Sequence, residues 1–239
     1  MNSIDKLKLL AGLPITMSDF TCSIYPATLK EIASLGVNEY FKYVNLLTIK
    51  EDEILKIVKE KIDPFDFLFI NSVYKETFKE EFVKALYFFI KDQILFLPDV
   101  EAIVIGKFEE ERMLTKENFF EFQKIISAQN FIQEEIVKYT GEDEAAKMIK
   151  AKLEKSREKI ERSKNKREDK LIEMADLVGS LTINSSLDIV NVWGISYYTF
   201  NDQFKRMRIL EQYSTGLQSI MAGADPKKIK LQDWIQSIQ

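Results

Sequence analysis

The residues best suited to chemistry in this sequence are carboxylates and lysines. The pair Pro98-Asp99 and the later run Glu168-Asp169-Lys170 follow the Pro-Asp…Glu-x-Lys order of nucleases whose carboxylates and lysine converge on a metal ion. Here about seventy residues separate the two elements, and the second lies in a run of charges rather than on an adjoining strand. We therefore do not expect a nuclease centre.

Two other acidic runs, Glu51-Asp52-Glu53 and Glu109-Glu110-Glu111, carry the oxygen ligands that Mg²⁺ and Ca²⁺ prefer. Adjacent residues point in different directions on any regular element, so consecutive carboxylates rarely meet at one ion. We interpret both runs as solvated turns or helix starts. The sequence therefore predicts no metal site and no bound cofactor.

The chain also lacks the usual means of activating a nucleophile. It contains no histidine, which removes triads and zinc sites that depend on imidazole. Cys22, the single cysteine, has no histidine to lower its pKa, and we expect it to be a small buried apolar residue. The glycines form neither a G-x-G-x-x-G fingerprint nor a phosphate-binding loop. We therefore predict that the protein is not an enzyme.

The composition is typical of a soluble protein with much apolar surface to cover. Apolar residues make up 46% of the chain and aromatic residues 12%, so this surface must be hidden in a core or against partners. The net charge of −4 argues against extensive binding to nucleic acid. The apolar runs are too short to span a membrane, and no signal peptide is recognisable at the N-terminus. We expect a cytoplasmic protein.

Charge divides the sequence into three regions, which we interpret as domains. Residues 1–144 form an acidic α+β body with a net charge of −9, residues 145–172 a basic connector with +6, and residues 173–239 a helical C-terminal region with −1. From residue 156 to residue 170 of the connector the only apolar residue is Ile160, so we predict an exposed charged helix or linker there. Binding of nucleic acid through residues 147–170 remains an alternative.

The sequence of the body predicts mainly helices. A short strand is predicted over residues 21–25, followed by a helix that Thr28 and Glu31 cap as a capping box and that Gly36 ends. Hydrophobic spacing and capping residues predict further helices over residues 37–47, 51–62 and 75–92 and after Thr115.

The strands of the body are few and short. Residues 64–70 are predicted to form one strand, and residues 94–106 a hairpin with its turn at Pro98-Asp99. The predicted fold is therefore mainly α, of the α+β type, with a small β-hairpin or short antiparallel strands.

One long helix dominates the C-terminal region. Ser185 and Asp188 have capping-box spacing and predict a helix from there to about Met221. Apolar residues recur on it at steps of three and four, which predicts a buried seam. The seam comprises Trp193, Tyr197, Phe200, Phe204 and Met207, and after a slight rotation Leu210, Tyr213, Leu217 and Ile220.

Core packing is the simplest interpretation of this seam, and a binding surface is the alternative. Tyr198, Asn191, Asn201 and Gln203 fall off the seam, which makes them better placed to contact another chain. A terminal helix around Trp234 is too short to be stable alone and must dock on the chain or on a partner. The candidate partner-binding residues are Asn191, Trp193, Tyr197, Tyr198, Asp202, Gln203, Arg206 and Trp234.

Two segments of the chain resemble a known group of proteins. The early motif comprises Pro26, Leu29, Lys30, Glu31 and Ile32, and the late motif comprises Asn191, Val192, Trp193, Tyr197, Asp202, Gln203, Phe204, Lys205 and Arg206. In this order they resemble tail-region proteins of phages and prophages of Gram-positive bacteria, described as tail assembly chaperones or structural proteins. Gly194 departs from the pattern and weakens a helix by about 1 kcal/mol relative to alanine, which puts the helix before Ile195 in question.

This resemblance implies a protein that binds other tail components, namely the tape-measure protein or the tail-tube subunit, and prevents their premature association. It would then act in the host cytoplasm and be absent from the mature virion. A permanent structural role in the tail or connector, with the long helix packed between copies in a homo-oligomer, is the alternative. A nucleic-acid-binding regulator is the second alternative.

Overall fold

The structure, a computed structural model, describes residues 4–19, 21–107, 112–132, 173–184, 187–225 and 229. The chain divides into two compact units. The larger comprises Met1–Gln133 and Val178–Gln239, and the smaller comprises Glu134–Leu177. Residues 173–177 are the described part of the smaller unit, and they lie at the start of a helix. The predicted connector, residues 145–172, lies outside the described residues.

Helices account for most of the described residues. They are α1 Lys6–Leu10, α2 Leu29–Leu35, α3 Val37–Leu47, α4 Glu51–Val58, α5 Pro64–Tyr74, α6 Glu76–Ile90, α7 Lys116–Gln129, α8 Met174–Asn184 and α9 Tyr197–Met221. The strands are β1 Ile15–Thr16, β2 Ser23–Ile24, β3 Ile94–Leu97, β4 Ala102–Ile105 and β5 Met113–Leu114. In this part of the chain they form antiparallel sheets of two and three strands. The predicted fold class, mainly α with small antiparallel β elements, is confirmed.

The predicted hairpin is present. β3 and β4 pair in antiparallel register from Ile94 opposite Ile105 to Leu97 opposite Ala102, and β5 joins the other side of β4. The turn is a short 3-10 segment, Pro98–Val100, as the Pro-Asp pair predicted. All four residues of β4 are buried, because it is the central strand of its sheet. In the other sheet, β1 pairs with β2, which lies within the predicted strand over residues 21–25.

Helix capping follows the sequence closely in the body. Thr28 and Glu31 form the predicted capping box at the start of α2, and Gly36 ends the helix with a left-handed φ of 96°. Thr115 is the N-cap residue of α7, as predicted, and its amide donates a hydrogen bond to the side chain of Asn118 (2.8 Å). Such local signals are readable because donor and acceptor lie within four residues of each other.

The predicted strand over residues 64–70 is wrong, since these residues form the first two turns of α5. Asp63 caps this helix by accepting a hydrogen bond from the amide of Phe65 (2.9 Å), and Pro64 takes the first helical position. The apolar run resembled a strand because α5 packs against several neighbours. Two of its phenylalanine rings contact rings of α7 and β3, so apolar residues surround much of the helix and blur its periodicity.

The core lies between α2, α3, α5, α6, α7 and the central strand β4 and is rich in aromatic residues. The largest fully buried aromatic side chains are Tyr40, Phe65, Phe82, Phe89, Phe119 and Phe122. Tyr40 donates a hydrogen bond to Oδ1 of Asn130, just after α7, so its buried hydroxyl is satisfied. Among the described residues, no helix is long and apolar enough to cross a membrane.

Candidate functional site

The long C-terminal helix, α9, begins later than the sequence predicts. Asn191–Gly194 form a 3-10 turn, and α9 starts at Tyr197 with Ser196 as its N-cap. The predicted start near Ser185 is therefore wrong, although Ser185 itself lies outside the described residues. The predicted end at Met221 is confirmed. The glycine that departs from the family pattern thus lies in the turn before the helix.

A tertiary contact sets this starting point. Ser196 and Thr28, the N-caps of α9 and α2, pair in an isolated antiparallel bridge. The amide of Leu29 donates to the carbonyl of Ile195 (3.0 Å), and the first residue of α9 donates to the carbonyl of Ala27 (2.8 Å). A bridge requires extended backbone at the N-cap, so a helix arriving from Asn191 could not continue through it.

The first turn of α9 is also attached to α1. Ser196 accepts a hydrogen bond from the amide of Thr199 (3.1 Å), and the Thr199 hydroxyl donates to the carbonyl of Leu10 at the end of α1 (2.8 Å). Gly12, which follows α1, has a left-handed φ of 66° and lies against Ser196. The start of α9 is thus held by two separate elements of the body.

Tyr197, a candidate partner-binding residue, packs on the core. Its ring lies 5.7 Å from Tyr40 and 5.8 Å from Phe41, both in edge-to-face geometry. Trp193 is half-buried in the turn before α9. Asn191 is exposed, and its side-chain amide donates to the carboxylate of Asp188 (2.8 Å).

The other candidates on α9 lie in its first three turns. Tyr198 contacts the ring of Phe131 at 4.9 Å, and the Lys205 ammonium lies 4.0 Å from the centre of the same ring. Asp202 is buried and bound by Arg206, whereas Gln203 is half-buried. Trp234 lies outside the described residues. Tyr198, Asp202 and Arg206 therefore lie close together on α9, whereas Tyr197 and Asn191 contact other neighbours.

The second half of the predicted seam is not buried as expected. Leu210 is 49% exposed and Leu217 42%, while Tyr213 and Ile220 are half-buried. Met221, which follows the seam at the end of the helix, is 80% exposed. The spacing of seven and four residues places Leu210, Leu217 and Met221 within about 40° of each other around the helix. We call these three residues the α9 apolar line.

The α9 apolar line is exposed because the body supports the beginning of the helix. Hydrogen bonds and ring contacts from α9 to other described elements involve residues 197–205, in its first three turns. The periodicity of the sequence identified an apolar stripe along the whole helix. It did not show at which residue this stripe ceases to pack against the body. The change of seam at Leu210 was the one sequence signal of this transition.

The structure describes some of the groups considered for catalysis, among them Cys22 and the acidic run over residues 51–53. Burial raises the pKa of the Cys22 thiol to about 12, with the nearby charge of Asp19 adding to the effect. Glu51, Asp52 and Glu53 occupy the first turn of α4, as predicted for a helix start. Residues 109–111 and 168–170 lie outside the described residues. In the described part, no group of three or more acidic or cysteine side chains could hold a metal ion.

Comparison with known families finds similarity in the C-terminal third of the chain. Residues 163–239 match the family model of the YomV second domain. That family is associated with phages and prophages, which supports the phage relationship drawn from the sequence motifs. The matched region includes all of α9 and the α9 apolar line. No curated protein and no solved structure matches the chain significantly.

Proposed function

We propose that this phage-related chain is a non-enzymatic tail assembly chaperone, which holds the tape-measure protein or the tail-tube subunit before assembly. The observation that carries the proposal is the α9 apolar line, because a row of exposed leucine and methionine side chains is the kind of surface that binds an unassembled partner. The protein would act in the host cytoplasm.

Two further features support this role. The first turns of α9 are attached to α1 and α2, so the apolar line is presented on a rigid helix rather than on a loose tail. Residues 1–144 carry a net charge of −9, and a strongly charged body keeps a complex with an apolar partner soluble.

Co-expression tests the proposal. Affinity-tagged chain should retain the tape-measure or tail-tube protein encoded by neighbouring genes in soluble form. The triple variant Leu210→Ser, Leu217→Ser and Met221→Ser should lose the partner. A control with the same number of changes, Ile57→Ser, Tyr74→Ser and Val100→Ser, replaces exposed apolar residues elsewhere and should retain it.

Circular dichroism should show that both triple variants fold with melting temperatures near that of the unaltered chain, because the replaced side chains are exposed. If neither tail protein associates with the unaltered chain, the chaperone role is wrong. Mass spectrometry of purified particles distinguishes a chaperone from a structural tail protein. A chaperone should be absent from mature virions, whereas a tail component should be present.

A further inference from the structure

A second surface with binding character lies between α2, α3 and α6. These helices leave an open groove of about 440 Å³. Its floor is apolar: Tyr43 and Phe88 meet edge to face with ring centres 6.1 Å apart, and Leu35 completes it. Tyr87 forms one wall and is 59% exposed. We call this the α2/α3/α6 groove.

The rim of the groove carries two lysines, Lys84 and Lys91, and one glutamate, Glu31. Lys91 is already engaged, because its ammonium donates to Glu31 (2.6 Å) and lies 5.3 Å from the centre of the Tyr25 ring. Lys84 also lines the groove, is exposed, and makes no hydrogen bond or ion pair with a described residue.

The acidic residues before Lys84 do not neutralise it. Glu81 is bound by Lys42 at 2.6 Å, and Glu80 makes no ion pair with Lys84 within the described residues. The groove therefore presents a cation that forms no ion pair with the described residues, beside exposed aromatic surface, on a body whose net charge is −9. A local reversal of charge next to an apolar floor selects for a partner of the opposite charge.

We propose that the α2/α3/α6 groove docks an acidic amphipathic segment of a partner protein. An aliphatic or aromatic side chain of that segment lies on the floor formed by Tyr43 and Phe88, against Tyr87, and a neighbouring carboxylate pairs with Lys84. This is the helix-in-groove mode of recognition, in which apolar anchors supply affinity and flanking charges set orientation. The groove shares no residue with the α9 apolar line, so the inference extends beyond the chaperone proposal.

Fluorescence anisotropy with the full chain tests the groove. The probe is a fluorescein-labelled amphipathic peptide with a leucine stripe flanked by glutamates. Two matched peptides carry glutamine or lysine in place of every glutamate. We expect the glutamate peptide to bind, the glutamine peptide to bind several-fold more weakly and the lysine peptide not to bind. Added salt should weaken binding of the glutamate peptide, because its charge contacts are exposed.

Variants locate the binding. Lys84→Glu should weaken binding of the glutamate peptide by about tenfold, since it replaces attraction by repulsion at the rim. Tyr87→Ala should weaken it by a similar factor by removing the exposed wall. Lys56→Glu, on α4, makes the same change in net charge at an exposed lysine away from the groove and should leave affinity unchanged.

Each result decides between specific docking and its alternatives. Failure of the glutamate peptide to bind overturns the inference, as does unchanged affinity of Lys84→Glu. Equal losses of peptide affinity in Lys84→Glu and Lys56→Glu also overturn it, because they indicate that the peptide responds to the net charge of the protein rather than to the groove. The serine triple variant of the α9 apolar line should bind the peptide normally. Peptide binding and capture of tail proteins can therefore fail independently.

Discussion

The Arg206 guanidinium donates two hydrogen bonds to the carboxylate of Asp202, one turn earlier on α9. Nε lies 2.7 Å from Oδ2, and Nη2 lies 3.3 Å from Oδ1. Asp202 is 4% exposed, whereas Arg206 reaches solvent. The four-residue spacing alone predicts a helix-surface pair worth about 0.3 kcal/mol. Burial of the carboxylate makes the pair far more important, because an unpaired buried charge costs several kcal/mol.

Replacing Arg206 by methionine should therefore destabilise the protein. The variant leaves the buried Asp202 carboxylate without its cation, and we expect the free energy of unfolding to fall by roughly 3 kcal/mol. Urea titration followed by circular dichroism measures this. The double variant Asp202→Asn with Arg206→Met should lose less free energy of unfolding than Arg206→Met alone, because it leaves no unpaired buried charge at residue 202.

Arg208→Met is the matched control for that experiment. Arg208 is exposed on the same helix, so its replacement should change the free energy of unfolding by no more than about 0.5 kcal/mol. Equal losses from the two arginine variants would show that burial of Asp202 does not decide the effect.

Glu31 should stabilise the protein only when it is ionised. Burial opposes its ionisation, but hydrogen bonds from the Lys91 ammonium and from the amide and hydroxyl of Thr28 outweigh burial and lower the pKa of Glu31. At neutral pH, Glu31→Gln should lower the free energy of unfolding by about 1 kcal/mol, because it removes a charged capping residue and an ion pair.

The pH dependence of this effect follows from the direction of the shift. A lowered folded-state pKa contributes stability that is present above the unfolded value, about 4.3 for glutamate, and is lost as pH falls through the folded value. Unfolding curves of both proteins between neutral and acidic pH should therefore converge in acid. A constant difference across that range would contradict an electrostatic contribution from Glu31.

The Cys22 thiol should resist modification in the folded protein. Burial, with a contribution from Asp19, raises the pKa of Cys22 to about 12, so the native thiol is neutral and covered near pH 8. A thiol-specific aromatic disulfide reagent should react at least tenfold more slowly with native protein than with protein unfolded in urea. Equal rates would show that the site is open to solvent.

The raised pKa of Cys22 also predicts a loss of stability in alkali. The contribution of the thiol is fully present below the unfolded pKa of about 8.5 and declines as pH rises toward the folded value, since the unfolded state ionises first. The unaltered chain should lose more free energy of unfolding over this interval than Cys22→Ala does. Other groups that titrate in alkali are common to both proteins and cancel in the comparison.

Ser196 should contribute more to the free energy of unfolding than a serine on an exposed helix surface does. It is buried, caps α9 by accepting from the amide of Thr199, and pairs with Thr28 in the bridge. Ser196→Ala should lower the free energy of unfolding by about 1 kcal/mol. Ser214→Ala, exposed within the same helix, should be neutral or stabilising by up to about 0.5 kcal/mol. Urea titration measures the free energy of unfolding of both variants. A similar loss in the two would contradict the capping role of Ser196.

Most local features of the body were predictable from the sequence. The capping residues Thr28 and Thr115, the turn at Pro98-Asp99 and the helical spacing of residues 75–92 all act over a few neighbouring residues. The run over residues 64–70 was misread because its many phenylalanines have high strand propensity. Its helical state depends on the Asp63 cap and on neighbours distant in sequence.

The candidate site was predictable in outline. The sequence located the aromatic helix and the pair of Asp202 with Arg206. Several of the residues proposed to contact a partner, however, pack against other residues of the same chain. Tyr197 lies on the core, and Tyr198 packs on Phe131. Residues of identical type and spacing can face the body or solvent, and periodicity does not distinguish these cases.

By itself, the sequence determined the mainly helical character of the chain, the caps of its local elements and the apolar stripe along α9. These depend on interactions within about one helical turn. Tertiary structure alone decided that α9 starts at Tyr197, after its N-cap Ser196, and that Asp202 is buried while Leu210, Leu217 and Met221 are exposed. The reason is physical: burial and backbone bridging depend on which distant elements arrive beside a residue, and that information is not contained in its neighbours along the chain.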